Sequence, residues 1–223
     1  MEVIGIKRIS IALMCVILVL LGIMNSRRSG NGDDNILSLT KENCQVGNTI
    51  TYGAYPQYSK IGKDPIEWQV LTVTEDTALL ISKYILDTAD YSQEWLNQQF
   101  YCKAFNDSER ERMLPIAYHE AGIAKQDFVI YPSKALITDY CDGNIDRKST
   151  FTDYVKKKKA WKQDTYWLLG EMCVDESGVI DELCYIPTRG NGYGVRPVIR
   201  VQLNNTISSV LFKVCTLLGI DGV

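Results

Sequence analysis

Four carboxylates, Asp175, Glu176, Asp181 and Glu182, crowd one short stretch around the turn Asp175-Glu176-Ser177-Gly178. Carboxylates so placed, together with backbone carbonyls, are the oxygen donors that Ca²⁺ takes. The same composition also makes a solvated hairpin tip, which is the expectation here. A little further on, Arg189, Asn191 and Tyr193 share the run Pro187-Thr188-Arg189-Gly190-Asn191-Gly192-Tyr193. Gly190 and Gly192 let the backbone come close to a ligand. Arg189 offers a rigid donor fork for a carboxylate or phosphate. Tyr193 offers a flat apolar face with a polar tip, suited to stacking on a sugar or peptide. Arg189, Asn191 and Tyr193 are therefore the candidate binding residues, against the plainer reading of a long hairpin loop built from ordinary turn residues.

Other chemistry is thin. His119 is the only histidine, and a catalytic or metal role would need partners. No G-x-S-x-G, H-E-x-x-H, P-loop or G-x-G-x-x-G occurs. No catalytic residue, metal ligand or cofactor is assigned. Lys156 to Lys159, with Lys162, form a basic run that can meet an anionic wall polymer or lipid headgroups; a solvated helix face is the plainer reading. Net charge is −3, without a clustered excess of positive charge, so no nucleic-acid partner is expected.

The N-terminus bears on compartment. Lys7 and Arg8 precede an apolar run from Ile9 to Met24. That is a positive region followed by a hydrophobic one, at the short end of the roughly 17–25 residues a spanning helix needs. Residues 1–25 are read as a signal anchor or a cleaved signal peptide. Gly22, Asn25 and Ser26 are small or polar enough for cleavage, but no A-x-A pattern is present. Either way the body is expected outside the cell, membrane-anchored or secreted, because a very short tail ahead of such a run rarely crosses alone. Cys44, Cys102, Cys141, Cys173, Cys184 and Cys215 remain in the body. An even count in an exported chain permits disulfides, and Cys173 with Cys184, flanking a hairpin, is the best single pair. The alternative is that these cysteines are small buried hydrophobes.

The elements that would position these groups follow from local pattern. Residues 26–38 read as a flexible linker, residues 39–204 as one domain, and residues 205–223 as a C-terminal amphipathic helix with Ile207, Val210, Leu211, Val214, Leu217 and Leu218 on its stripe. Thr49 to Gly53 reads as a strand. Ile66, Trp68 and Val70 alternate with Glu67 and Gln69, and a turn at Glu75-Asp76 leads to Ala78-Leu79-Leu80-Ile81, a strand buried on both sides. Asp90 or Ser92 caps a helix carrying Trp95, Leu96, Phe100 and Ala104. Asp107 or Ser108 caps a second that stops before Pro115. Asp127 to Tyr131 reads as a strand, Ser133 caps a brief helix, and Thr150 or Thr152 starts another. In the last strand Val195, Pro197, Ile199, Val201 and Leu203 share one face. Arg196, Arg200 and Gln202 share the other, expected to be wet, with the arginines pairing Glu67 or other carboxylates. Trp68, Leu80, Trp95, Trp167 and Ile199 are the expected core centre.

The order of these motifs resembles a bacterial domain-of-unknown-function family over nearly the whole body. Val46-Gly47, Thr49-Ile50, Tyr52-Gly53 and Tyr55-Pro56-Gln57 match its opening, and Pro65 to Leu71 and Ala78 to Leu86 follow in its order. Trp95-Leu96-Asn97 through Phe105 matches its W-L-N-x-x-F-Y-x-x-A-F helix, and Gly194-Val195-Arg196-Pro197 its G-V-R-P ending. Leu169-Gly170 stand where the family has Arg-Ser, and the segment from Tyr91 to Trp95 is shorter than usual. The resemblance implies an α+β, C-type-lectin-like domain, with a twisted antiparallel sheet and flanking helices, preceded by one N-terminal hydrophobic helix. It also implies a likeness to formylglycine-generating enzymes, whose site uses cysteine near the C-terminal end of the fold. Cys173 and Cys184 lie in that broad region without matching that motif. In lectin-like folds the loops ahead of the terminal strands form the recognition face, which carries the expectation to Pro187 through Tyr193. The fold hosts binding and catalysis alike. The expected function is an extracytoplasmic binding or interaction domain that meets a glycan, peptide or protein ligand at a bacterial cell surface, with membrane contact through the N-terminal helix. An extracytoplasmic enzyme of unknown reaction and a structural ectodomain of a surface complex are the alternatives.

Overall fold

Alternating β-branched and aromatic residues fit a pleated surface with both faces covered, and they assemble into the main sheet. The computed structural model describes residues 39–59, 61–88, 92–120, 122–141, 147–158, 167–169, 172–175, 177–181 and 193–204. The anchor or signal segment 1–25, the linker 26–38 and the C-terminal helix 205–223 lie outside them.

Strands β1 (Thr49–Tyr55), β2 (Asp64–Val73) and β3 (Thr77–Ser82) form an antiparallel meander. The final strand β11 (Val198–Gln202) then inserts beside β3, pairing Ile199 with Leu80. Its far edge is shared by β4 (Met113–Leu114) and β7 (Val129–Ile130), so that β11 lies inside a six-stranded sheet. Two smaller antiparallel units complete the described strands. One is the hairpin of β5 (Ile116–Glu120) and β6 (Ile123–Asp127), and the other is the set β8 (Trp167–Leu169), β9 (Met172–Val174) and β10 (Ile180–Asp181). Thr40 bridges Asn204, whose N–H donates to the Leu39 carbonyl at 2.6 Å, so the two ends of the described body meet. The architecture is mixed α+β, with mostly antiparallel sheets and a few short helices.

The main sheet is buried on both faces. On one, Trp68, Val70, Leu80, Ile199 and Val201 pack with Tyr52, Tyr55, Phe100 and Phe105. On the other, Leu71, Leu79, Ile81 and Val198 pack with Ile116, Ile137, Trp167 and Val174. Val70 and Leu71, adjacent on β2, serve opposite cores by strand alternation, and the register shift between Val70 and Thr72 returns Val73 to the first core. Trp68, Leu80, Trp167 and Ile199 are fully buried as expected, whereas Trp95 is only half-buried and packs on the edge of the first core.

The expectation of a wet face on the last strand fails at Arg196 and holds further along, where Arg200 is half-buried and Gln202 exposed. With β11 inside the sheet and a second core layered on it, Val198 and Arg196 are both fully buried. Arg196 does not pair with Glu67, which instead meets Lys83 at 2.5 Å. Its Nε donates to the Ser82 carbonyl at 2.8 Å, one Nη to the Arg147 carbonyl at 3.1 Å and the other to Gln69 Oε1 at 2.7 Å. The guanidinium lies 4.9 Å from the Trp167 ring centroid, a cation–π contact between the main sheet and the β8–β10 layer.

Helical segments flank the first core. Ser92 caps α1 (Gln93–Trp95), accepting from the Trp95 N–H at 3.1 Å. The chain runs straight into a π-helical turn, Leu96–Phe100, and then α2 (Tyr101–Ala104). Helix α3 (Asp107–Glu111) is capped by Asn106 rather than by Asp107 or Ser108. The Asn106 side chain takes the Glu109 N–H and Glu109 takes the Asn106 N–H, each at 2.9 Å, a reciprocal capping box. Ser133 caps α4 (Lys134–Tyr140), and the Thr152 hydroxyl accepts from Val155 N–H at the start of α5 (Asp153–Lys158).

The hairpin of β5 and β6 was not expected. Most of its residues are at least half-exposed, so no apolar alternation marks it.

Candidate functional site

Two regions carry exposed or half-exposed polar chemistry. The first surrounds Tyr193. Arg189 and Asn191 lie outside the described residues, as do Glu176 and Glu182. Tyr193 is half-buried directly ahead of Gly194 and Val195, which bridge to Trp167 and Asp87. Burial first, and then the negative charge of Asp181, raise the Tyr193 phenol above its ordinary range. The tyrosine therefore stands close enough to β10 to sense the acidic hairpin.

Within that hairpin, Asp175 is committed to its own turn. Its Oδ1 accepts from the Ser177 hydroxyl at 2.7 Å, the Ser177 N–H at 2.8 Å and the Val179 N–H at 2.9 Å. Hydrogen bonds from Ser177 and then Val179 hold its carboxyl below the usual range. Among the described residues, no group of His, Cys, Asp or Glu is arranged to hold a metal ion. His119 is exposed and faces Ala124 across the hairpin. In the lysine run, Lys156 pairs with Asp153 on its own helix at 3.2 Å and Lys157 donates to the Tyr58 carbonyl at 3.0 Å.

The second region escaped sequence reasoning. The helical segment from Gln93 to Gln98 and the β5–β6 hairpin flank an open cleft of about 450 Å³. Gln93, Glu94, Asn97 and Gln98 form one wall, and Tyr118, Lys125 and Asp127 stand on the other. The Tyr118 hydroxyl donates to Asp127 Oδ2 at 2.6 Å. Desolvation, followed by Asp127, raises the Tyr118 phenol far above its ordinary range. Gln93 and Asn97 hold the backbone of Val129 and Tyr131 by four hydrogen bonds between 2.9 and 3.1 Å. One signal was available: Gln93, Glu94, Asn97 and Gln98 are polar at i, i+1, i+4 and i+5, a hydrophilic face beside the apolar one.

Buried polar groups elsewhere serve the fold. Tyr55 donates to Asp87 Oδ2 at 2.6 Å, and the buried Glu109 carboxylate takes the Gly53 N–H at 3.1 Å besides its cap.

Cysteine chemistry divides the same way. Cys173 is disulfide-bonded, whereas Cys44 is a buried free thiol, Cys102 an exposed one, and Cys141 is buried outside any disulfide. Cys184 and Cys215 lie outside the described residues. Burial pushes the Cys44 thiol up to about 11, so at pH 8 its thiolate fraction is on the order of one in a thousand. Site-resolved alkylation read by mass spectrometry should label Cys102 in the native protein, and Cys44 and Cys141 only after unfolding. Equal labelling of Cys44 and Cys102 would contradict the burial. Reducing the Cys173 bond should lower stability by about 2–4 kcal/mol, read as a lower Tm in reductant.

Comparison of the chain with family models, curated proteins and solved structures finds no match.

Proposed function

We propose that this chain is an extracytoplasmic binding or interaction domain of the bacterial domain-of-unknown-function family it resembles. In this reading it has a C-type-lectin-like fold and an N-terminal hydrophobic segment, and it meets a glycan, peptide or protein ligand at the cell surface. The observation that carries the reading is the division of labour among polar groups. Among the described residues the buried charged groups, Arg196, Glu109 and Asp87, are tied into hydrogen bonds that hold the fold. The groups left at solvent are amides, phenols, carboxylates and lysine, the chemistry of recognition by hydrogen bonding. The disulfide at Cys173 supports an oxidising compartment, in keeping with Lys7-Arg8 and the apolar run to Met24. No helix among the described residues is long and apolar enough to cross a membrane, so the membrane contact in this reading rests on residues 1–25.

The loop at Arg189, Asn191 and Tyr193 is the first recognition face to test. Arg189→Ala combined with Tyr193→Ala should change stability by about 0.5 kcal/mol or less. Affinity for a ligand found by screening should fall by about 1–3 kcal/mol. Unchanged affinity moves the site away from this loop.

A further inference from the structure

The cleft between the π-helical turn and the β5–β6 hairpin supports a second, separate site. We propose that it binds a short neutral saccharide, a ligand offering several hydroxyl groups and no net charge. The proposal deepens the reading of the chain as a binding module and rests on it.

The hairpin's inner face is the starting point. Side chains alternate along a strand, so Ile116, Tyr118 and Glu120 share a face with their cross-strand partners Asp127, Lys125 and Ile123. At its root Ile116 is buried in the second core. Between Ile116 and Ile123 at the tip the same face is polar at its hydrogen-bonding groups, with the Tyr118 hydroxyl bonded to Asp127 and Lys125 paired with Glu120, while the Tyr118 ring packs on the second core. A face that continued to pack against the helix would be apolar there; this one lines open space instead.

The opposite wall is held in place before any ligand arrives. Gln93 and Asn97 fix the helical segment to β7 through both the N–H and the C=O of Val129. That fixes the helical wall, and a preformed wall lowers the ordering cost of binding. The wall also contains the π-helical turn Leu96–Phe100, a distortion found frequently at functional sites.

What remains unsatisfied selects the ligand. Gln98 Nε2 donates to Glu94 Oε1 at 2.9 Å, which leaves Glu94 Oε2 and Gln98 Oε1 as acceptors. Asp127 keeps Oδ1 after Tyr118 takes Oδ2. Lys125 keeps ammonium protons beyond its bond to Glu120. The carboxylates of Glu94 and Asp127, with Glu120 beside Lys125, disfavour phosphate and carboxylate ligands. Lys125 offsets only one of these three carboxylates, so a polyamine is the charged competitor and enters the test as a control. An apolar ligand would strip water from these groups without replacing its hydrogen bonds. Hydroxyl groups both donate and accept, so a row of them satisfies this mixed set. The cleft, at about 450 Å³, falls within the range of small-molecule sites, roughly 300–1,000 Å³.

The test is saturation-transfer NMR on the full chain in a sugar-free detergent. Cellobiose, maltose and chitobiose are the probes, with spermidine and citrate as charged controls. At least one disaccharide should bind saturably with Kd in the millimolar range. Glu94→Ala combined with Gln98→Ala alters two exposed side chains and should leave the melting curve unchanged. It should weaken the disaccharide at least about tenfold, equivalent to about 1.4 kcal/mol. Arg189→Ala with Tyr193→Ala should not weaken it. Loss of binding in the Tyr193 variant alone would overturn the cleft and keep the binding module. Spermidine or citrate binding in place of the sugars would overturn the ligand class. No disaccharide binding at all would overturn the cleft proposal, while wall fragments and peptides would still test the module.

Discussion

Arg196→Ala is expected to destabilise the body by about 4 kcal/mol, within the upper tail of single substitutions and a large part of the roughly 5–15 kcal/mol that holds a domain together. Three donors of this fully buried side chain satisfy the Ser82 carbonyl, the Arg147 carbonyl and the Gln69 amide oxygen. Truncation leaves the Ser82 carbonyl unpaired in the interior, at about 1–3 kcal/mol, and strips two part-buried acceptors, the Arg147 carbonyl and Gln69 Oε1, at a smaller cost each. It also removes the face-on contact with Trp167, worth about 2 kcal/mol when desolvated. Arg196→Lys keeps the charge and loses the fork, so it should recover only part of the loss. Urea unfolding followed by tryptophan fluorescence measures both. A change within about 0.5 kcal/mol for Arg196→Ala would place the side chain at the surface.

Gly53→Ala should be nearly as costly, at about 3 kcal/mol, the sum of a left-handed backbone strain and an overpacked contact. Gly53 has φ +67°, in the left-handed region, where the register of β1 against β2 shifts between Thr51 and Ala54. A Cβ there would sit 2.6 Å from two ring carbons of Phe105 and 2.8 Å from the Ala104 carbonyl oxygen. Phe105 cannot swing clear, because its ring lies against Tyr52, Trp68, Phe100 and Tyr101. At about 2–4 °C per kcal/mol for a domain of this size, the Tm should drop by roughly 10 °C. A Tm within about 2 °C of the parent would mean that the β1 bulge and the Phe105 cluster are not packed as described.

The parts of this fold that can be read from sequence are those whose signal is local. Ile66, Trp68 and Val70 alternate because β2 has a buried face, and Ser92 and Ser133 precede helices because their oxygens accept from the first turn. Arg196 could not be read this way. Its burial depends on β11 inserting between β3 and the pair β4 and β7, contacts made with partners far back in the sequence. The β5–β6 hairpin carries no periodic apolar signal because it projects from the body, and so the cleft beneath it was invisible as well. Asn106 was passed over for Asp107 although the Glu109 partner three residues on marks it as the cap. The Tyr193 loop and the acidic hairpin read as separate candidates in sequence, and in the structure the charge of Asp181 is felt at the Tyr193 phenol.

The claim at the centre of this account is that the body recognises a ligand and does not transform it. The most direct measurement incubates the full chain with a panel of glycans, peptidoglycan fragments and surface peptides. Binding is then followed by calorimetry, and each recovered ligand by mass spectrometry. The account predicts saturable binding of at least one class, with the recovered ligand unchanged in mass. Turnover of any member of the panel, or saturable binding of none, would contradict it.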